Sequence, residues 1–108
     1  MSEYCPDRWV VLEFTHGDKV TRKLFGGWYG GYTGGDSWKL NSGITGVRIN
    51  YNTEYEFDGY SGSTYYCHVN NYGMSGFQMG ILAGWMKQAE QRGDFKIKEL
   101  CLDEIVAF

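Results

Sequence analysis

The chain has no long apolar run, no excess of basic charge, few aliphatic side chains and an odd number of cysteines, and each shortage removes a class of protein. Its longest mostly apolar stretch, Phe77 to Met86, carries Gln78 and two glycines, and it is about half of the roughly 20 residues that span a bilayer. No transmembrane helix is expected. With 10 Lys+Arg against 13 Asp+Glu the formal charge is −3, so the positive footprint of a duplex nucleic-acid binder is missing. Cys5, Cys67 and Cys101 match no zinc spacing, and His16 and His68 offer neither HxH nor HxxxH. The segment MSEYCPDRW lacks a basic stretch followed by an apolar one. Together these features predict a reduced, cytoplasmic protein with no cofactor and no metal.

Catalytic signatures are missing as well. The Gly59 to Ser63 turn, GYSGS, does not match the G-x-S-x-G nucleophile elbow, and neither a P-loop nor a dinucleotide fingerprint occurs. Cys67 and His68 are neighbours in a predicted strand, where successive side chains point to opposite faces, so they cannot form a thiolate–imidazole dyad with each other. Cys67 reads as a small buried apolar residue, His68 as a structural one and His16 as part of a turn.

Aromatic residues make up 18% of the chain, so the core has to be built from rings, which favour a sheet with wide, flat neighbours. At 108 residues there is room for one domain. The most unusual stretch is Gly26 to Gly43, GGWYGGYTGGDSWKLNSG, where paired glycines alternate with Trp28, Tyr29, Tyr32 and Trp38. Glycine gives up the most conformational entropy on ordering, so such a stretch implies a demand for backbone shape or close approach. Asp36, Asn41 and Ser42 add donors and acceptors beside the ring faces, the composition of a recognition surface. The competing reading is that the rings fill a ring-rich core.

Alternation over Arg8 to Phe14 puts Val10, Leu12 and Phe14 on one face, and Val20 to Phe25 follows after a turn, which predicts a β-hairpin. Trp38 and Leu40, then Val47, Ile49 and Tyr51, then Tyr55 and Phe57 repeat with period two, and Ser63 to Asn70 reads as a central strand. Ser75 and Gln78 have capping-box spacing. Phe77, Ile81, Leu82, Trp85 and Ala89 then recur at helical intervals and Arg92-Gly93 supplies a stop, which predicts one helix over Gly76 to Arg92. Phe95 to Leu102 reads as a further strand that switches face, followed by an apolar tail of Ile105, Val106 and Phe108. The fold expected is α+β: a mainly antiparallel sheet of five to seven strands packed on one side by that helix.

Within the helix, Gly76, Gly80 and Gly84 fall at i, i+4 and i+8 and line one stripe. An interior glycine costs about 1 kcal/mol relative to Ala. The first explanation is tight docking of the stripe on the protein's own sheet; the second is a homodimer interface. Glu54, Glu56 and Asp58 share one face of a strand, a pattern that serves hard cations and acid–base hydrolysis but that a solvated strand face produces equally. The Ser61-Gly62-Ser63 turn offers backbone N–H groups and two hydroxyls that could cradle an anion such as a phosphate, and ordinary hairpin geometry explains the same residues.

The pieces GGWYGG, GDSWKLNSG and GSTYYC, spread over about residues 24 to 67, resemble those of small proteins carried by phages and prophages. That resemblance implies an accessory role against a host or defence protein and brings no functional residues with it. The expected function is a non-catalytic protein-binding module, an inhibitor or adaptor, whose contact surface contains Trp28, Tyr29, Tyr32 and Trp38. The alternative is a small-ligand binder in which Trp38 or Tyr29 stacks on a nucleobase while Ser61 and Ser63 hold phosphate. An enzyme comes third, resting on the carboxylate row and His68.

Overall fold

Strand β2 (Arg8–His16) decides the architecture, because Trp9, Val10, Val11 and Leu12 are consecutive and all fully buried. Successive residues of a strand face opposite ways, so a run of this kind needs cover on both sides. The computed structural model, which describes residues 2–30, 35–51 and 53–105, supplies it with three layers. The described residues form eight strands, β1 (Glu3–Tyr4), β2, β3 (Lys19–Trp28), β4 (Ser37–Leu40), β5 (Ile44–Asn50), β6 (Glu54–Gly59), β7 (Thr64–His68) and β8 (Phe95–Glu99), with helices α1 (Gly76–Arg92) and α2 (Leu102–Ile105).

One sheet has the order β1-β7-β6-β5 and the other β4-β3-β2-β8. All pairings are antiparallel except β1 with β7. The first sheet packs on one face of the second through Trp9, Val11 and Leu24 against Tyr55, Phe57, Tyr65 and Cys67, with Leu100 and Ile105 closing the end. Helix α1 covers the opposite face, where Leu82 meets Val10, Leu12 and Phe25. The α+β class and the antiparallel pairing match expectation, whereas a single sheet of five to seven strands does not. Counting only Val10, Leu12 and Phe14 as the inward side of β2 left Trp9 and Val11 without a role, and those two residues hold the second sheet.

Rings do build the interior. Trp9 sits 5.6 Å from Tyr55, 5.4 Å from Phe57 and 4.8 Å from Tyr72 between ring centroids, and its Nε1–H donates to the His68 carbonyl at 2.8 Å. The partner for the indole N–H makes its burial affordable. Helix α1 begins and ends as expected: Ser75 and Gln78 form a capping box, and Gly93 caps the C-terminus with φ 79°. Gln78 is itself fully buried. Its Nε2 donates to the Phe25 carbonyl at 3.3 Å and its Oε1 accepts from Ser75 N–H at 3.0 Å, so one side chain caps the helix and fixes it to β3. The final strand is shorter than expected because the chain turns into α2, which buries Ile105. Val106 and Phe108 of the apolar tail lie outside the described residues.

Candidate functional site

The glycine-aromatic segment begins inside β3 and is tied down from the N-terminal side. Trp28 is half-buried, edge-on to Tyr4 at 6.3 Å, and its Nε1–H donates to the Cys5 carbonyl at 3.0 Å. The Tyr29 backbone N–H donates to Asp7 Oδ2 at 2.9 Å, and Gly30 N–H donates to Asp36 Oδ1 at 3.1 Å. Tyr29 is 58% exposed although its backbone is held. On β4, Trp38 pairs opposite Gly27 and rests against Phe25 at 5.9 Å and Trp85 at 5.2 Å, both edge-to-face, while 43% of it stays exposed. Tyr32 lies outside the described residues. The segment therefore divides: Trp28 and the Asp36 carboxylate hold the local structure, while Tyr29 is largely exposed and Trp38 leaves part of its surface open beside Phe25 and Trp85.

Asn41 is not a surface contact residue, because it is only 5% exposed. Its N–H donates to the Leu24 carbonyl at 3.0 Å and its Oδ1 accepts from Leu24 N–H at 2.8 Å. The side-chain amide thus extends the β3–β4 pairing by one residue, a local role common for asparagine. Ser42 and Ser61 meet instead at the first sheet's end, where Ser42 Oγ accepts from Ser61 N–H at 3.0 Å. Gly59 N–H donates to Ser63 O at 2.7 Å, Tyr60 N–H to Gly43 O at 2.7 Å and Gly62 N–H to Gly59 O at 3.0 Å. The anion cradle expected at this turn is filled by the protein's own oxygens, and four consecutive amides are unavailable to a phosphate.

The glycine stripe also departs from its first explanation. Gly76, Gly80 and Gly84 are exposed, and a Cβ added at any of them would meet nothing within 4 Å. The stripe does not dock on the protein's own sheet. Phe77, expected to face the core, is 40% exposed, and Met79 is 54% exposed. Five residues separate Phe77 from Leu82, about 140° of helical rotation, so the two cannot share a face. With Met86, these side chains make the outward surface of α1 from 76 to 86 small and apolar, without a charged residue. A helical-wheel reading centred on the capping residue Gln78, which points inward, reveals this face, whereas one centred on Phe77 conceals it.

On the outer face of the first sheet, Arg48 opposes Glu56 in register. Its Nη1 donates to Asp58 Oδ2 at 2.7 Å and its Nη2 to Asp58 Oδ1 at 3.0 Å, while Nε and Nη2 also reach Glu56 Oε2. Hydrogen bonds from Arg48 hold both carboxyls below their ordinary pKa. A general acid needs the reverse shift, so Glu56 and Asp58 form an arginine-bridged ladder rather than an acid–base pair. Cys67 points inward, where burial pushes its thiol well up, and His68 points outward with Nδ1 accepting from Asn70 N–H at 3.1 Å. Among the described residues, no group of His, Cys, Asp and Glu is placed to hold a metal, and no helix is long and apolar enough to cross a membrane.

Comparison with known proteins adds no neighbour: no family model, no curated protein and no solved structure matches the chain.

Proposed function

We propose that the protein is a non-catalytic protein-binding module, an accessory inhibitor or adaptor of the phage type that acts on a host protein. The supporting observation is the pair of partly exposed rings, Tyr29 and Trp38: Asp7 and Asp36 hold the backbone at 29 and 30, and the Phe25 and Trp85 rings hold the Trp38 side chain. Large aromatic side chains dominate the energetics of protein interfaces, and surfaces arranged before binding lose less entropy when the partner arrives. Trp28 and Asp36, next to these rings in the chain, belong to the same segment as supports, whereas Ser42 is engaged by Ser61 at the end of the first sheet. Purines or other flat ligands would use the same rings, but the turn that was to hold their phosphate has no free amide at Gly59, Tyr60, Ser61 or Gly62.

Site-specific photocrosslinking tests the assignment. A benzoylphenylalanine at position 29 or 38 is expected to trap one discrete bacterial protein from a lysate, while the same probe at His68, on the outer face of the first sheet, traps none. Equal trapping from all three positions would remove the aromatic surface from consideration.

A further inference from the structure

We propose that the cleft between the C-terminal half of α1 and the second sheet binds a small amphiphilic carboxylate, an alkyl or aryl tail with a single anionic head. Two hollows that share Phe14 and Phe95 form this cleft. The inner one, of about 320 Å³, is lined besides by Leu40, Trp85, Ala89 and Ile97, with Gln88 and Arg92 as its polar members. The outer one, of about 310 Å³, opens toward His16, Lys19 and Lys23. Each lies at the lower end of the roughly 300–1,000 Å³ typical of small-molecule sites.

The helix sequence explains the space. Leu82 and Trp85 seat the middle of α1 on the core of Val10, Leu12 and Phe25, but about two turns after Leu82 the inward residue is only Ala89. The sheet meanwhile continues with Phe14 and Phe95, whose rings stand 6.0 Å apart, edge to face. An apolar floor therefore extends past the small helix residue meant to cover it.

Charge selects the head group. Asp94 is engaged by His16 at 3.0 Å and by Arg92 at 3.8 Å. Lys19 and Lys23 form no ion pair among the described residues, and Lys23 Nζ stands 5.5 Å from the Phe14 ring centroid. Two ammonium groups without a carboxylate partner among the described residues thus line the outer end of a mainly apolar cleft in a protein whose formal charge is −3. Lysines act as point charges, and the arginine that lines the cleft, Arg92, is engaged by Asp94 at 3.8 Å and by the Phe95 ring at 5.7 Å, which suits one carboxylate better than a phosphate. The head-group end lies apart from the protein-contact surface, although Trp85, which walls the inner hollow, also supports Trp38 at 5.2 Å. Lys19 begins β3 and Tyr29 follows its end, about 30 Å away at the rise of an extended strand.

Decanoate, below its micelle-forming concentration, is the probe, read by chemical shifts of ¹⁵N-labelled protein. Saturable shifts are expected at the Trp85 indole N–H and at the Phe14 and Phe95 amides, with Tyr29 and Ser61 unmoved. Decanol and decylamine should bind at least about tenfold more weakly, and K19E/K23E should lose about tenfold or more for decanoate, the scale of charge-assisted hydrogen bonds. If the double variant loses its fold, Lys23→Gln is read in the same way and should show a smaller loss of the same sign. Absence of saturable shifts, equal response to decanol, or indifference to the lysine substitutions would overturn the proposal. Response only to phosphatidylglycerol vesicles would also overturn it, assigning the lysines to a membrane surface.

Discussion

Gly27 and Gly80 are the same residue used for opposite reasons. A Cβ at Gly27 would lie 2.4 Å from Gln78 Cδ, and one at Gly26 would lie 3.0 Å from Pro6 Cβ, whereas one at Gly80 would meet nothing within 4 Å. Gly27 lets α1 set its first turn directly onto β3 through a buried, doubly bonded Gln78, and Gly26 makes room for Pro6 on the other side. The helix glycines have no such neighbour in the subunit, and they leave an apolar, uncharged face toward solvent or a second molecule. Glycine density marks both regions alike; what distinguishes them is the side chain standing opposite.

The sharpest way to break this contrast is Gly27→Ala, which should destabilise the protein by about 2–3 kcal/mol in urea unfolding, because the methyl group overlaps a side chain that cannot move without losing its hydrogen bonds. Gln78→Ala alone should cost about 1–2 kcal/mol through the lost cap and the lost hydrogen bond to the Phe25 carbonyl. The double variant should cost less than the sum, and strict additivity would show that the two residues do not meet. Gly80→Ala should act in the other direction, stabilising by about 0.5–1 kcal/mol from helix propensity alone. Sedimentation velocity on the same variant decides the remaining question: an unchanged monomer places the stripe in water, and loss of a wild-type dimer places it at a homodimer interface.

The smallest effect expected is electrostatic. Glu56 and Asp58 are held below their ordinary values of 4.5 and 3.8 by Arg48. In the unfolded chain they return to those values and bind protons first as pH falls. Their contribution is therefore complete above the ordinary carboxylate range and is lost as pH falls through the lowered folded values. Arg48→Gln should flatten that decline as pH falls through and below the ordinary values of 4.5 and 3.8, by an amount that salt reduces further because the ladder is exposed. An unchanged slope would show that the ladder does not contribute.

Much of the fold was legible because local signals were unambiguous. The hairpin of β2 and β3, the capped helix from Gly76 to Arg92 and the alternation of Tyr55 and Phe57 follow from period, capping and turn chemistry. Division into two sheets was harder to read, since it depends on treating Trp9 and Val11 as core together with Val10 and Leu12, and a period-two reading attends to one side only. At the site, exposure of Tyr29 and Trp38 agrees with a contact surface, but Asn41 and the Gly59–Gly62 amides were misread for one reason. Polar groups in loops look available in sequence, and only the fold shows which carbonyl or amide has already taken them, as Leu24 does for Asn41 and Gly43 for Tyr60. The open face of α1 was hidden by assigning Phe77 to the core.

The claim that matters most is that Tyr29 and Trp38 form a prearranged contact surface for a protein. It is tested most directly by comparing quantitative capture from a bacterial lysate by the wild-type protein and by Y29A/W38A, with retained folding confirmed by amide spectra. A discrete protein held by the wild type should be reduced by about tenfold or more on the double variant, the scale expected when interface hot spots are truncated. Equal recovery of the same proteins by both would contradict the account and leave the rings as part of the structure alone.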